Sequence, residues 1–412
     1  MSGDPVATQY EAYPYPARNP RDERRRLVEG SPSHLDEVAH YVFAGRLPQG
    51  RPLRALVAGG GTGDGLIMLA QHAADRGVAA EIVYLDLSQA SRAIAEARAR
   101  ERGLTSIRFL QGSILDIATL APGPFDYIDC CGVLHHLPDP LAGLRALAGV
   151  MGPAGGMGLM LYAPYGREGV YPLQSALRRL AGGQAPRERL ALARHLLDGL
   201  PPTNGFLRNP WLGDHRASDA GLYDLLLHDR DRPYTVGEMA ALVDAAGLEI
   251  ASFIQPVRYR PDTYVKQPRL LAQIRTLPAL EQAALAEELV GNIKVHVAYV
   301  VAKGRAAAAV ADPGAPGLCP VLAESGMPEW ARAVRPGSAL TLDMDGVPLR
   351  LTLPRLTGAI LSHVDGKTPI PDLYRAVVAA GARDVSFEAF QGQFAQLYAA
   401  LNGVGKLYLR HP

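Results

Sequence analysis

Residues 56–65, LVAGGGTGDG, place five glycines directly behind an apolar run. A backbone bare of side chains can approach a ligand closely. Three ligand classes use a strand, a glycine loop and a helix. A phosphate loop needs Lys and Ser or Thr after its last glycine, but Leu66 and Ile67 follow Gly65. A dinucleotide fingerprint needs a third glycine at 64 or 66, where Asp64 and Leu66 stand. A carboxylate at the helix start would also repel a pyrophosphate. What remains is Gly59-x-Gly61-x-Gly63, a loop on which a ligand without phosphate can lie flat.

Other residues of the right type lie downstream. Asp86 ends the next apolar run, AEIVYLD, where a carboxylate can accept ribose hydroxyls. His135 and His136 follow FDYIDCCG; an imidazole titrating near neutrality is a candidate base there, with a wall or hydrogen-bonding role as the alternative. Tyr162 and Tyr165 close a further run and are candidates to line an acceptor site, or to pack a lid. GDHRASDAGLYD and LLLHDRDRPY gather Asp214, His215, Asp219, Tyr223, Asp224 and His228, which could select a cationic or polyhydroxyl substrate or simply face water. They lack compact ligand spacing, so no metal is expected. Cys130 and Cys131 read as strand-end packing. With Cys319 they form neither a disulfide framework nor a metal spacing, which suits a reducing cytoplasm.

The elements that must position these groups alternate. LRALVA, AEIVYLDLS, SIRFLQGS, FDYIDCCG and MGLMLYAP read as strands separated by helices, which implies right-handed βαβ units and a parallel sheet. The rhythm stops at 165–232 and resumes with helix VGEMAALVDAAG and strands LEIASFI and IKVHVAYVVAKG. An interruption of that size reads as a lid over the carboxyl edge of the sheet. Residues 1–50 open on a Tyr/Pro-rich arm followed by a helix from Ser33 to about Ala44, and 305–325 read as a linker. Beyond it a hairpin turning at Asp345–Gly346, three short helices and a closing strand make a module over 326–412.

LVAGGGTG resembles the first motif of the class I S-adenosylmethionine-dependent methyltransferases, and Asp86, QGSILD and FDYIDCCGVLHHLPDP follow at fitting intervals. The resemblance implies an α/β fold with a doubly wound, mostly parallel seven-stranded Rossmann-like sheet over 51–304. It implies that Gly59, Gly61 and Gly63 approach the methionine half and ribose of S-adenosyl-L-methionine. Asp86 would take the ribose and Leu87 the adenine face. Ser113 and Ile114 would meet the adenine edge, with Cys131 and Gly132 below the sulfonium. Two positions depart from the pattern: the family commonly has an acid where Val57 stands and Asp where Ser113 stands. The first leaves the cofactor's ammonium to backbone carbonyls or another group. YEAYPYPAR also resembles an arm that some bacterial methyltransferases fold over the cofactor, with Tyr13 or Tyr15 closing over the methyl group and Arg18 pairing with a carboxylate. HVDGKTPIPDLYRAV resembles the winged-helix end domain of some bacterial protein-lysine methyltransferases.

Composition bounds the partners. A formal net charge of +1 over 412 residues argues against nucleic acid or an anionic membrane, and FEAFQGQFAQLYAAL lacks the basic residues of a DNA-reading helix. No apolar run is long enough to span a membrane, and the amino terminus lacks the features of a signal peptide. A cytoplasmic enzyme is expected, methylating an N or O atom of a small metabolite, amino acid or peptide. The alternatives are side-chain methylation of a protein docked through 326–412, where a homodimer contact is the other use, and a non-catalytic cofactor-binding scaffold.

Overall fold

The computed structural model describes residues 5–315, 317–323, 334, 337 and 339–412. Residues 316, 324 and 325 of the expected linker, and 326–333 at the head of the expected module, lie outside them. The arm holds helix α1 (Pro5–Ala12), and α2 (Leu35–Val42) follows. Then β1 (Leu53–Ala58), α3 (Asp64–Asp75), β2 (Ala80–Asp86), α4 (Gln89–Glu101), β3 (Ile107–Gln111), β4 (Phe125–Cys131) and β5 (Met151–Tyr162) alternate as expected. Strands β6 (Leu248–Phe253) and β7 (Val295–Ala302) complete a seven-stranded sheet of order β3-β2-β1-β4-β5-β7-β6. The pairs β1/β2, β2/β3, β1/β4 and β4/β5 are parallel. Strand order reverses between β1 and β4, which opens a crevice at their carboxyl ends.

Local chemistry explains the helix ends that border this crevice. Gly63, at φ 101°, turns the chain into α3, and Asp64 in the first turn suits the helix dipole. Ser88 caps α4 by accepting a hydrogen bond from the Ser91 N–H at 3.0 Å. Arg98 and Arg100 occupy its last turn, and Gly103 at φ 67° ends it.

Two compact units divide the chain. One comprises Met1–His34, Pro48–Leu248 and Val290–Val297, and holds the crevice and the insertion. The insertion has a core of its own, in which Val170, Leu173, Leu177, Phe206, Leu222 and Leu225 pack together. The other unit comprises Leu35–Leu47, Glu249–Leu289 and Ala298–Pro412. Within it β9 (Ala339–Met344) and β10 (Val347–Thr352) form the hairpin, with φ positive at both Asp345 and Gly346. Helices Thr357–Leu361, Ile370–Ala379 and Phe387–Gly403 and strand β11 (Leu407–Arg410) follow.

These units do not share the boundaries expected above. The arm of 1–50 is split, because α2 belongs with the carboxyl-terminal unit. Glu37 of α2 accepts hydrogen bonds from the hydroxyls of Tyr299 at 3.0 Å and Tyr408 at 2.6 Å. His40 bonds the main chain of Leu409 and the hydroxyl of Tyr398. The expected linker contains a helical turn, Ala306–Ala309, and strand β8 (Cys319–Leu322), which pairs antiparallel with β11. A four-residue strand flanked by Pro and Gly carries too little periodicity to stand out, and only its partner ninety residues away makes it one.

Burial holds the His40 imidazole near 4, below its ordinary 6.5, although its bond to Leu409 works the other way. The unfolded chain therefore takes up a proton between pH 6.5 and 4 that the folded chain refuses. Stability is complete above pH 6.5, falls by roughly 3 kcal/mol as pH drops to 4, and levels off below. Urea titrations at pH 7.5, 5.5 and 4 should show this slope, and a His40→Gln variant should show a shallower one.

Candidate active site

The glycine loop is shaped by backbone and packing together. Gly59, Gly61 and Gly63 all take positive φ, at 70°, 51° and 101°. A Cβ at Gly59 would collide with Val133, one at Gly60 with the Tyr84 ring, and one at Gly61 would lie 2.9 Å from the Tyr15 carbonyl oxygen. Gly63 faces Ala95 of α4 and lies outside the cavity; its lack of a side chain serves helix packing. Asp86, at the end of β2, fastens the loop. One carboxylate oxygen accepts the Gly61 N–H and the other the Ser88 N–H, each at 2.8 Å. Burial raises the Asp86 carboxyl above its ordinary range, against these backbone bonds.

A cavity of about 300 Å³ opens between the ends of β1 and β4. It is lined by Gly59, Gly61, Asp86, Leu87, Ser113, Ile114, Cys131, Gly132, Tyr15, His136 and Tyr162 among the residues expected from sequence. Asp224, from the polar cluster expected in the insertion, lines it too, while Val6, Tyr10, Asp64, Gly65, Asp129, Val133 and Met160 join unannounced. Ser113 also caps the short turn after β3, accepting the Leu115 N–H at 3.2 Å.

The arm is tied over this cavity by Glu11, Pro16 and Arg18, among others. Glu11 accepts from the Ser88 hydroxyl at 3.0 Å and the Ala90 N–H at 3.1 Å. The Thr62 hydroxyl donates to the Pro16 carbonyl at 2.7 Å. Arg18 forks onto Asp64 with contacts of 2.8 and 2.5 Å. Arg18 is therefore spent on a protein carboxylate, where a ligand's had been expected. Asp64 also receives Arg98 at 2.7 Å, and the two guanidiniums outweigh burial and hold its carboxyl below the ordinary range. Arg98 itself is fully buried and continues to Glu23 at 2.7 Å and the Thr62 carbonyl at 2.9 Å.

At the insertion's side of the cavity, Asp224 is buried and accepts from the hydroxyls of Tyr10 at 2.8 Å and Tyr162 at 2.9 Å. Burial raises its carboxyl despite His136 and those hydroxyls. His136 Nδ1 lies 2.7 Å from the Arg230 carbonyl oxygen, so Nδ1 carries the proton and donates. Its Nε2, left as a lone pair, is buried without a partner. His228 stacks on His136 at 3.7 Å and accepts the Arg230 N–H at Nδ1, which puts its own proton on Nε2, facing the Tyr10 hydroxyl. His136, Asp224 and His228 converge closely enough to suit a metal ion, but tautomer and tyrosine hydroxyls already use the His228 and Asp224 atoms. Arg167 lies 3.7 Å over the Tyr162 ring and pairs with buried Asp231 at 3.2 Å.

Several expected residues point elsewhere. His135 is buried behind the wall, edge-on to His136 and 4.1 Å from the Tyr162 ring, with burial lowering its basicity. Tyr13 stacks on Tyr223 at 5.2 Å, and both belong to the packing of the insertion. His215 leans on Phe206, and Tyr165 is exposed on a 3-10 turn. None of these five lines the cavity. Of the missed residues, Val6 and Tyr10 had a readable signal, an i,i+4 apolar pair on a short helix. Asp129 had another, an acid amid the apolar second half of β4.

Comparisons with known proteins bear on the family and the fold. Residues 56–157 match the family described as a methyltransferase domain. An uncharacterized protein of Synechococcus sp. is 33% identical over 269 residues, covering 62% of this chain and 61% of that protein. A ubiquinone biosynthesis O-methyltransferase of Chromobacterium violaceum is 30% identical over 199 residues, covering 46% of this chain and 80% of that protein. Among solved structures, PKMT2 from Rickettsia typhi shares the fold at TM-score 0.61 and 13% identity, over 92% of this chain and 75% of its own. The chain belongs to the class I S-adenosylmethionine-dependent methyltransferases. It spans 61% of the Synechococcus protein and 51% of a ubiquinone biosynthesis O-methyltransferase of Alkalilimnicola ehrlichii. Among the described residues no helix is long and apolar enough to cross a membrane.

Removing Arg98 would strand charges in the interior, so Arg98→Leu should lower unfolding stability by roughly 3 kcal/mol. Arg24→Ala, at an exposed pair with Glu101, should leave the denaturation midpoint unchanged.

Proposed function

We propose that this protein transfers a methyl group from S-adenosylmethionine to an N or O atom of a small metabolite, amino acid or peptide. One observation carries the reading: a single cavity joins the Gly59–Gly61 loop and Asp86 to His136, whose Nε2 is bare. The lining suits the cofactor, since Gly59, Gly60 and Gly61 expose main chain beside the Asp86 carboxylate and Leu87, Ser113 and Ile114 stand beyond it. Gly59 and Gly61 would hold the methionine half and ribose, Asp86 the ribose hydroxyls, and Leu87, Ser113 and Ile114 the adenine. Bound there, S-adenosylmethionine supplies a methyl carbon already activated for in-line displacement.

The chain's own work is alignment, exclusion of water and removal of a proton. Orientation alone can supply roughly 7–11 kcal/mol. The arm, held by Glu11, Thr62 and Asp64, closes the cavity over Tyr15. His136 Nε2 takes the proton of a protonated acceptor, and its donation from Nδ1 to the Arg230 carbonyl fixes the tautomer that can do so. The Tyr10–Asp224–Tyr162 cluster supplies polar groups to seat the acceptor. A second reading, methylation of a docked protein through 326–412, is favoured by the extent of the likeness to PKMT2, which spans 92% of this chain and so includes much of that region.

Calorimetry with S-adenosylhomocysteine tests the first reading: micromolar binding is expected, and none at millimolar ligand would refute it. Asp86→Ala should weaken that binding by about 2–3 kcal/mol, as charge-assisted bonds are lost. His136→Phe should leave it intact while lowering turnover of a hydroxyl or ammonium acceptor about 10²–10⁴-fold. Equal turnover by the variant would remove His136 as the base.

A further inference from the structure

Val57 lies on β1 two residues before Gly59, and no acid stands on that strand, LRALVA. Val57 on β1 is paired in register with Asp129 on β4. Partners across a ladder project from the same face of a sheet. Asp129 is 3% exposed, lines the cavity, and leaves its Oδ1 without a hydrogen-bond partner. The remaining acidic residues of the lining are engaged. Asp64 holds Arg18 and Arg98, Asp86 holds the Gly61 and Ser88 N–H groups, and Asp224 holds two tyrosine hydroxyls.

The surroundings make room for this carboxylate without satisfying it. A Cβ on Gly65 would collide with Asp129 Oδ2, so the bare second position of α3 is what lets the group fit. Burial lifts its carboxyl to about 7, with a bond from Ser33 opposing. An unpaired carboxylate in apolar surroundings costs several kcal/mol, and a cation brought by a ligand would offset that cost.

We propose that Asp129 receives the α-ammonium of the cofactor's amino-acid half, supplying from β4 the carboxylate that β1 lacks. The inference rests on the proposed function, and it deepens the reading of the same cavity. The ammonium is the one protonated group that the methionine half carries, and Asp129 is the lining acid with an oxygen still free to accept from it. The glycine loop supplies main chain, and the carboxylate next to it supplies charge.

The test compares S-adenosylhomocysteine with its analogue in which hydrogen replaces the amino group, by calorimetry on the full chain. Wild type should prefer the amine-bearing ligand by about tenfold or more. Asp129→Asn should bind both ligands equally, near the affinity that wild type shows for the analogue. The double variant Val57→Asp/Asp129→Val, which returns the charge to β1, should regain the preference. A wild type without preference, or an Asp129→Asn protein that keeps it, overturns the inference while leaving the proposed function standing. Weakening of both ligands by the same factor in Asp129→Asn, which keeps the preference, overturns it in the same way. Absence of binding by wild type to either ligand removes the proposed function and this inference together.

Discussion

The carboxylate of Asp86 holds the cavity in shape. It ends β2, and its two oxygens reach two different pieces of main chain: the glycine loop at Gly61 and the head of α4 at Ser88. The loop after β1 is all turn, with left-handed residues at 59, 61 and 63, and such a segment has few internal bonds of its own. Anchoring it to a buried acid fixes a conformation that glycine alone would leave loose. The Tyr84 hydroxyl adds a bond of 2.6 Å to the Gly61 carbonyl from the same strand. A single strand thus positions both the loop and the group that stands beside it.

Around that point the chain closes its crevice by charge as much as by apolar contact. Arg98, with no exposed surface, joins Glu23, Asp64 and the Thr62 carbonyl. Arg18 reaches the same Asp64 from the arm, so the lid and the floor share one carboxylate. Buried ion pairs of this kind add modest net stability, since desolvation consumes much of the Coulomb gain. Their geometry is nonetheless specific, because a forked guanidinium accepts few alternatives. The insertion follows a similar rule at its own boundary, where Arg167, Asp231 and Gln174 meet below Tyr162.

The two histidines show how a sequence pair separates once folded. His135 and His136 are adjacent and chemically equal on paper. On the 3-10 turn after β4 they face different surroundings. His136 meets the Arg230 carbonyl and the cavity, whereas His135 is packed between rings with no polar partner for either nitrogen. Asp224 and Asp219, five residues apart in the insertion, divide likewise: one closes on Tyr10 and Tyr162, the other pairs with Arg194 at the surface.

Much of this was legible in the order of residues. The alternation of strands and helices, the glycine loop, the acid one strand over and the DG hairpin are local signals, written within ten or twenty positions and governed by backbone geometry. The fingerprints that failed at positions 64 and 66 left a ligand without phosphate, and the resemblance of the following motifs implied which one. What folding alone decided concerns pairs distant in the chain. Tyr10 meets Asp224, α2 joins β11, β8 finds its partner, and Asp129 comes to lie beside Val57. Arg18 turned inward to Asp64 for the same cause. Such contacts depend on where several segments converge in space, and no periodicity along one segment can encode a neighbour that another segment brings.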